Sequence, residues 1–150
     1  MLITGLIFDF CEYSEYEQER NFEMLNTLAV GCGGFIGAIS RYLLSIFINR
    51  FNTNGFPVAT LIINVLGSFL IGLLTQLLIN MYPDNKRLQL FLTTGILGGF
   101  TTFSTFSLET ISLYHSGKIA FAISNVVLSI AFCLAGVVLG KLLAKMFVHA

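Results

Sequence analysis

Four long apolar runs dominate this chain, at residues 25–48, 56–82, 88–114 and 119–139. Each exceeds the ~20 residues that a helix needs to cross ~30 Å of hydrocarbon. The runs are continuous rather than alternating, which favours helices over barrel strands. Charged residues make up 11% of the 150 residues, where a soluble domain carries roughly 25%. That is too little polar surface to cover a water-soluble globule. The expected class is an all-α integral membrane protein with four transmembrane helices. The polar segments between the runs, 49–55, 83–87 and 115–118, are short, so neighbouring helices should be antiparallel.

A net charge of zero hides an asymmetry. Residues 1–24 hold six acids, Asp9, Glu12, Glu15, Glu17, Glu19 and Glu23, against Arg20 alone. Residues 25–150 hold Asp84 and Glu109 against seven bases. The chain thus divides into an acidic extension, 1–24, and a basic four-helix body, 25–150. The extension lacks the positive start of a secretory signal. Either translation begins at Met24, directly before the first apolar run, or the extension is an interfacial segment anchored by Phe8, Phe10, Tyr13 and Tyr16. Lys and Arg near span ends set topology. Lys86, Arg87, Lys141 and Lys145 fall on one side, and Arg41, Arg50 and Lys118 on the other. Four against three is a small bias, so copies could insert both ways up and pair about an axis in the membrane plane.

Cys11, Cys32 and Cys133 are widely separated, with no spacing for a metal finger or redox pair. Cys32 and Cys133 lie in apolar runs and read as small hydrophobes. Gly33/Gly37, Ser68/Gly72 and Gly136/Gly140 each sit four apart, the spacing that lets helix backbones approach closely in lipid.

The third run is unlike the others. Between Thr93 and Ser112 nine positions are Ser or Thr, and Gly95, Gly98 and Gly99 precede the densest polar patch. Thr pairs after Gly-Gly make a poor helix. The third helix is therefore expected to break near residues 98–102. Broken backbone at membrane depth persists only where it is buried in protein or lines a cavity. Its free carbonyls suit a small cation, and half-helix N-termini suit an anion. The competing reading is a helix interface whose hydroxyls bond back to their own backbone.

Other polar or aromatic residues sit inside the runs. Phe103 and Phe106 are three apart, on one helical face, and a ring edge carries positive charge density. Asn64 lies mid-span, where an amide must find partners. It could donate to an anion or join helices. Asn125 and Ser129 extend a polar stripe from Phe121. Arg41 could draw anions into a vestibule or snorkel to the interface.

These residues carry a family resemblance. Gly33-Gly34-Phe35-Ile36-Gly37-Ala38-Ile39-Ser40-Arg41-Tyr42, the stretch from Thr60 to Phe69 around Asn64, and Gly95-Ile96-Leu97-Gly98-Gly99-Phe100-Thr101-Thr102-Phe103-Ser104-Thr105-Phe106-Ser107-Leu108-Glu109 resemble three motifs of the CrcB/Fluc fluoride channels. They come in that family's order, and the likeness runs from residue 25 to the C-terminus.

The resemblance implies an inverted, dual-topology dimer with two fluoride pores, in a multi-pass protein of the bacterial plasma membrane. It implies a structural sodium ion held by the backbone carbonyls of Gly98 and Thr101 from both copies. It places Asn64, Phe103 and Phe106 in the ion pathway, with Ser104, Thr105 and Glu109 beside it. Asn125 and Ser129 keep the polar character of the fourth span, whereas Phe121 lacks the hydroxyl usual at its position. Arg41 becomes a vestibule cation. Expected partners are fluoride, the lipid bilayer and a second copy of the chain or a paralogue, with no nucleic acid. The implied task is passive fluoride exit, which relieves toxicity.

Three other classes fit less well. A proton-coupled cation exporter needs an acid early in the first span, which holds Arg41 instead. A purely structural subunit explains the glycines but not the hydroxyls beside two Phe. An enzyme would need a catalytic cluster, and His115 and His149 stand apart from one. No G-x-x-x-x-G-K-[ST] phosphate loop is present, so an ion gradient is the expected energy source.

Overall fold

The computed structural model describes the backbone of residues 2–148 and the side chains of residues 17–147. The aromatic anchors expected in the acidic extension lie outside the described side chains. The chain is helical, with no strand among the described residues. Its elements are α1 (Leu2–Asn49), α2 (Val58–Met81), α3 (Lys86–Gln89), a π-helical segment (Leu90–Leu97), α4 (Gly98–Phe100), α5 (Phe103–His115) and α6 (Ile119–Val148).

Among the described residues, three helices are long and apolar enough to cross a membrane, within α1, α2 and α6. The third apolar run is not one helix of that length. It is divided among α3, the π segment, α4 and α5. The first helix is longer than its apolar run and passes through Met24 without interruption.

Local chemistry sets the ends. Asn85 caps α3, its side-chain oxygen accepting from the Leu88 N–H at 3.0 Å. Thr102 caps α5 by accepting from the Thr105 N–H at 3.2 Å. Both capping oxygens meet donors that a helix start leaves open. Gly55 and Gly117 have φ of 70° and 75°, a region that costs glycine little, and they turn the chain before α2 and α6.

Glycines decide which helices touch. A Cβ on Gly33 would lie 2.5 Å from the Phe91 carbonyl oxygen, and one on Gly37 would collide with the Ile96 carbonyl. Gly95 and Gly99 meet the backbone of α1 from the other side, at Gly33 and Gly34. α1 thus packs backbone to backbone on the π segment and α4. Gly72, Gly136 and Gly140 do the same for α2 and α6, where added Cβ atoms would meet Val137, Val65 and Phe69. Such close approach is how helices associate where lipid removes the hydrophobic drive. Ile63 and Ala144 are almost fully buried, while Phe35, Phe47 and Leu108 are largely exposed. An apolar exterior suits a solvent of acyl chains.

Candidate functional site

The interruption between α4 and α5 is two residues long. Thr101 (φ −80°, ψ 157°) and Thr102 (φ −150°, ψ 106°) are extended. Asn64, from the middle of α2, holds this segment. Its Oδ1 accepts from the Thr102 N–H at 2.8 Å, and its Nδ2 donates to the Thr102 carbonyl at 3.1 Å. One side-chain amide thus satisfies both backbone groups of an extended residue. Asn64 also lines the adjoining cleft.

The same bonds free two carbonyls. In a continuous helix the Thr102 N–H would bond to Gly98 O and the Thr105 N–H to Thr101 O. Here the first goes to Asn64 and the second to the Thr102 hydroxyl. The carbonyl oxygens of Gly98 and Thr101 therefore lack their usual helical donors. Neutral, hard oxygens of this kind fit a small hard cation, so the donor set is compatible with the sodium ion that the resemblance implies. Among the described residues, no group of three His, Cys, Asp or Glu could hold a metal.

A cleft of about 400 Å³ lies against the extended segment. Asn64, Thr101, Phe103, Phe106 and Ser129 all line it, so α2, α5 and α6 converge there. The Phe103 and Phe106 rings are 5.4 Å apart between centroids and inclined at 44°. Phe106 is 9% exposed and Phe103 is 79% exposed. Ser129 is buried, and its hydroxyl has no hydrogen-bond partner. The cleft is lined by an amide, hydroxyls and two aromatic rings but by no charged side chain.

The other expected residues are arranged around it. Asn125 is fully buried and donates to Thr110 Oγ1 at 2.8 Å, while its Oδ1 has no partner. Thr105 meets the Thr102 hydroxyl at 2.8 Å, and Ser104 lies 3.4 Å from it. Glu109 belongs to a second groove of about 440 Å³. Its Oε1 accepts from Thr60 Oγ1 at 2.9 Å. Arg41 is half-buried, and its Nε donates to the Gly99 carbonyl at 3.1 Å, which ties it to α4. Phe121 meets Phe56 edge-on, at 5.7 Å and 88°.

Five of the nine hydroxyls of the third run bond back one turn, from Thr93, Thr101, Ser107, Thr110 and Ser112. Back-bonded hydroxyls and an interrupted backbone thus occur in the same run. Sequence alone does not single out Thr60, Thr102 or Thr110 for these contacts. Thr60 stands four residues before Asn64, so spacing on one face of α2 could have found it. Buried Asn26, whose Oδ1 has no partner, is a further polar residue that the sequence does not flag.

Residues 28–141 match the family model described as CrcB-like protein, Camphor Resistance (CrcB). A protein of Ruminiclostridium cellulolyticum named fluoride-specific ion channel FluC is 72% identical over 123 residues, covering 82% of this chain and 95% of that protein. One of the same name from Clostridium perfringens is 46% identical over 123 residues, covering 82% and 96%. One from Agrobacterium fabrum is 43% identical over 122 residues, covering 79% and 98%.

Proposed function

The chain belongs to the CrcB-like family of fluoride-specific ion channels, and from that premise we propose that it lets fluoride leave the cytoplasm passively, through two pores of an inverted dimer. It is a multi-pass protein of the bacterial cell membrane, and its family is not enzymatic. α1, α2 and α6 supply three spans, and the π segment, α4 and α5 together supply the fourth.

The observation that carries the reading is the uncharged cleft whose Ser129 hydroxyl lacks a protein acceptor. Fluoride is small and strongly hydrated, so a pore must replace water with donors at close range. The free N–H of Asn64, the Ser129 hydroxyl and the edges of Phe103 and Phe106 do so without a fixed cation. Conduction needs a site that binds enough to admit the ion and weakly enough to release it. A lysine in the cleft would hold the ion too long.

The Asn64 clamp keeps Thr101 and Thr102 extended, and so keeps the ring of Phe103 at the cleft. Two inverted copies would bring the carbonyls of Gly98 and Thr101 together as a four-oxygen sodium site. When bound, that ion supplies positive potential between the two pores. Ser104, Thr105, Glu109 and Asn125 continue the polar route, and Arg41 holds α1 to α4 beside it. The gradient drives the flow.

Purified chain in liposomes tests the proposal. Fluoride trapped inside is expected to leave when counter-ion movement is permitted, read by a fluoride electrode, with chloride retained under the same conditions. Equal release of both halides, or of neither, would overturn it.

A further inference from the structure

The groove beside Glu109 has a cation at its rim. Lys118 is exposed, directly before α6, and its chain folds back over the α1–α2 connection. Its Nζ lies 3.2 Å from where a Cβ on Gly55 would sit. Gly55 has a φ of 70°, so the tightness of that turn and the absence of a side chain together make room for the ammonium.

Lys118 forms no ion pair among the described residues. Among the described residues the one ion pair is Arg20–Glu17, and Lys118 shares the groove with Glu109 without bridging to it. Ser112 and Ser116 donate their hydroxyl protons to the carbonyls of Leu108 and Ser112, so Lys118 is the groove's positive group. Arg41 lies outside this groove, with its Nε donating to the Gly99 carbonyl. Glu109 lies three residues beyond Phe106 on α5, and Phe106 lines the ring-edged cleft. The groove is thus the outward continuation of the same helix face.

We propose that Lys118 is the anion-collecting residue of this chain: it raises the local concentration of halide at the Glu109 groove, the water-facing end of the route. This rests on the channel reading above. An inverted pair then has one such lysine on each face of the membrane. The lysine acts through its field rather than by direct capture. A unit charge acting across roughly 6–8 Å of water raises anion occupancy about two- to threefold. That gain is screened: the Debye length is about 30 Å at ~0.01 M salt and about 3 Å at ~1 M.

The test compares wild type with K118R, K118Q and K118E in liposomes, at sub-saturating fluoride, in low and high potassium gluconate. At low ionic strength, K118R should match wild type, K118Q should release fluoride about two- to threefold more slowly, and K118E more slowly still. At high ionic strength the four should converge, with unchanged elution and melting behaviour. Equal rates for K118Q and wild type in low salt would overturn the proposal. So would a deficit of the same size in both salts, which marks a structural role. A wild-type chain that releases no fluoride at all would sink the channel reading itself, a result distinct from either of these.

Discussion

Asn64 commits its oxygen and one N–H to Thr102, which makes it a structural clamp as well as a residue of the cleft wall. Asn64→Leu leaves a backbone N–H and C=O unpaired in the interior. It should lose about 1–3 kcal/mol of stability, together with most fluoride flux, read by melting in detergent and by efflux. A stable but non-conducting variant would mean that Thr102 finds other partners. Phe103 and Phe106 differ in a way that separates packing from permeation. Phe106 is buried whereas Phe103 is not. Phe103→Ile should lower flux with the melting temperature unmoved, while Phe106→Ile should lower both. Normal conduction by both variants would remove ring edges from the mechanism. At this scale the sequence shows which residues are out of keeping with their surroundings, because a polar group in an apolar run is conspicuous. It is a poor guide to what each one touches. Asn64 and Thr102 are 38 residues apart, and no local pattern encodes that pairing.

Among the elements, backbone contact between α1 and the π segment rests on glycines that differ sharply in their surroundings. Gly37 faces the Ile96 carbonyl, whereas a methyl added at Gly31 would meet nothing within 4 Å. Gly37→Ala should push the helices apart and cut both melting temperature and flux. Gly31→Ala should be neutral or stabilising by roughly 0.5–1 kcal/mol, since alanine favours the helix. Equal effects would show that the observed packing is not the one that matters. The four-residue spacing of Gly33 and Gly37 makes this interface readable in advance. The division of the third run is harder to read. Hydropathy gives 88–114 as one stretch, yet its winding changes from α to π, returns to α and then stops at two extended threonines. The stop comes from competition for donors, in which Asn64 and the Thr102 hydroxyl take N–H groups that a helix would use. A window average cannot see a competition between individual hydrogen bonds.

For the molecule as a whole, large apolar side chains cover the outside, and the basic residues near span ends barely favour one orientation. A tag at the C-terminus is expected to be reachable from both faces of the membrane in roughly equal shares, measured with an impermeant label. Labelling from one face alone would exclude inverted pairing of identical copies and leave a paralogous partner. The length of α1 has a mechanical outcome. Its 48 residues make a rod of about 72 Å at ~1.5 Å per residue, more than twice the thickness of the hydrocarbon layer. Arg41 and Gly37 grip its inner half against α4 and the π segment, and the outer half extends past the residues that match the family. Such a rod is a lever. A tilt of about 10° at Gly37 moves the far end, ~50 Å away along the helix, by about 9 Å, so a displacement of that end bears on the contacts of Gly37 and Arg41 with the π segment and α4.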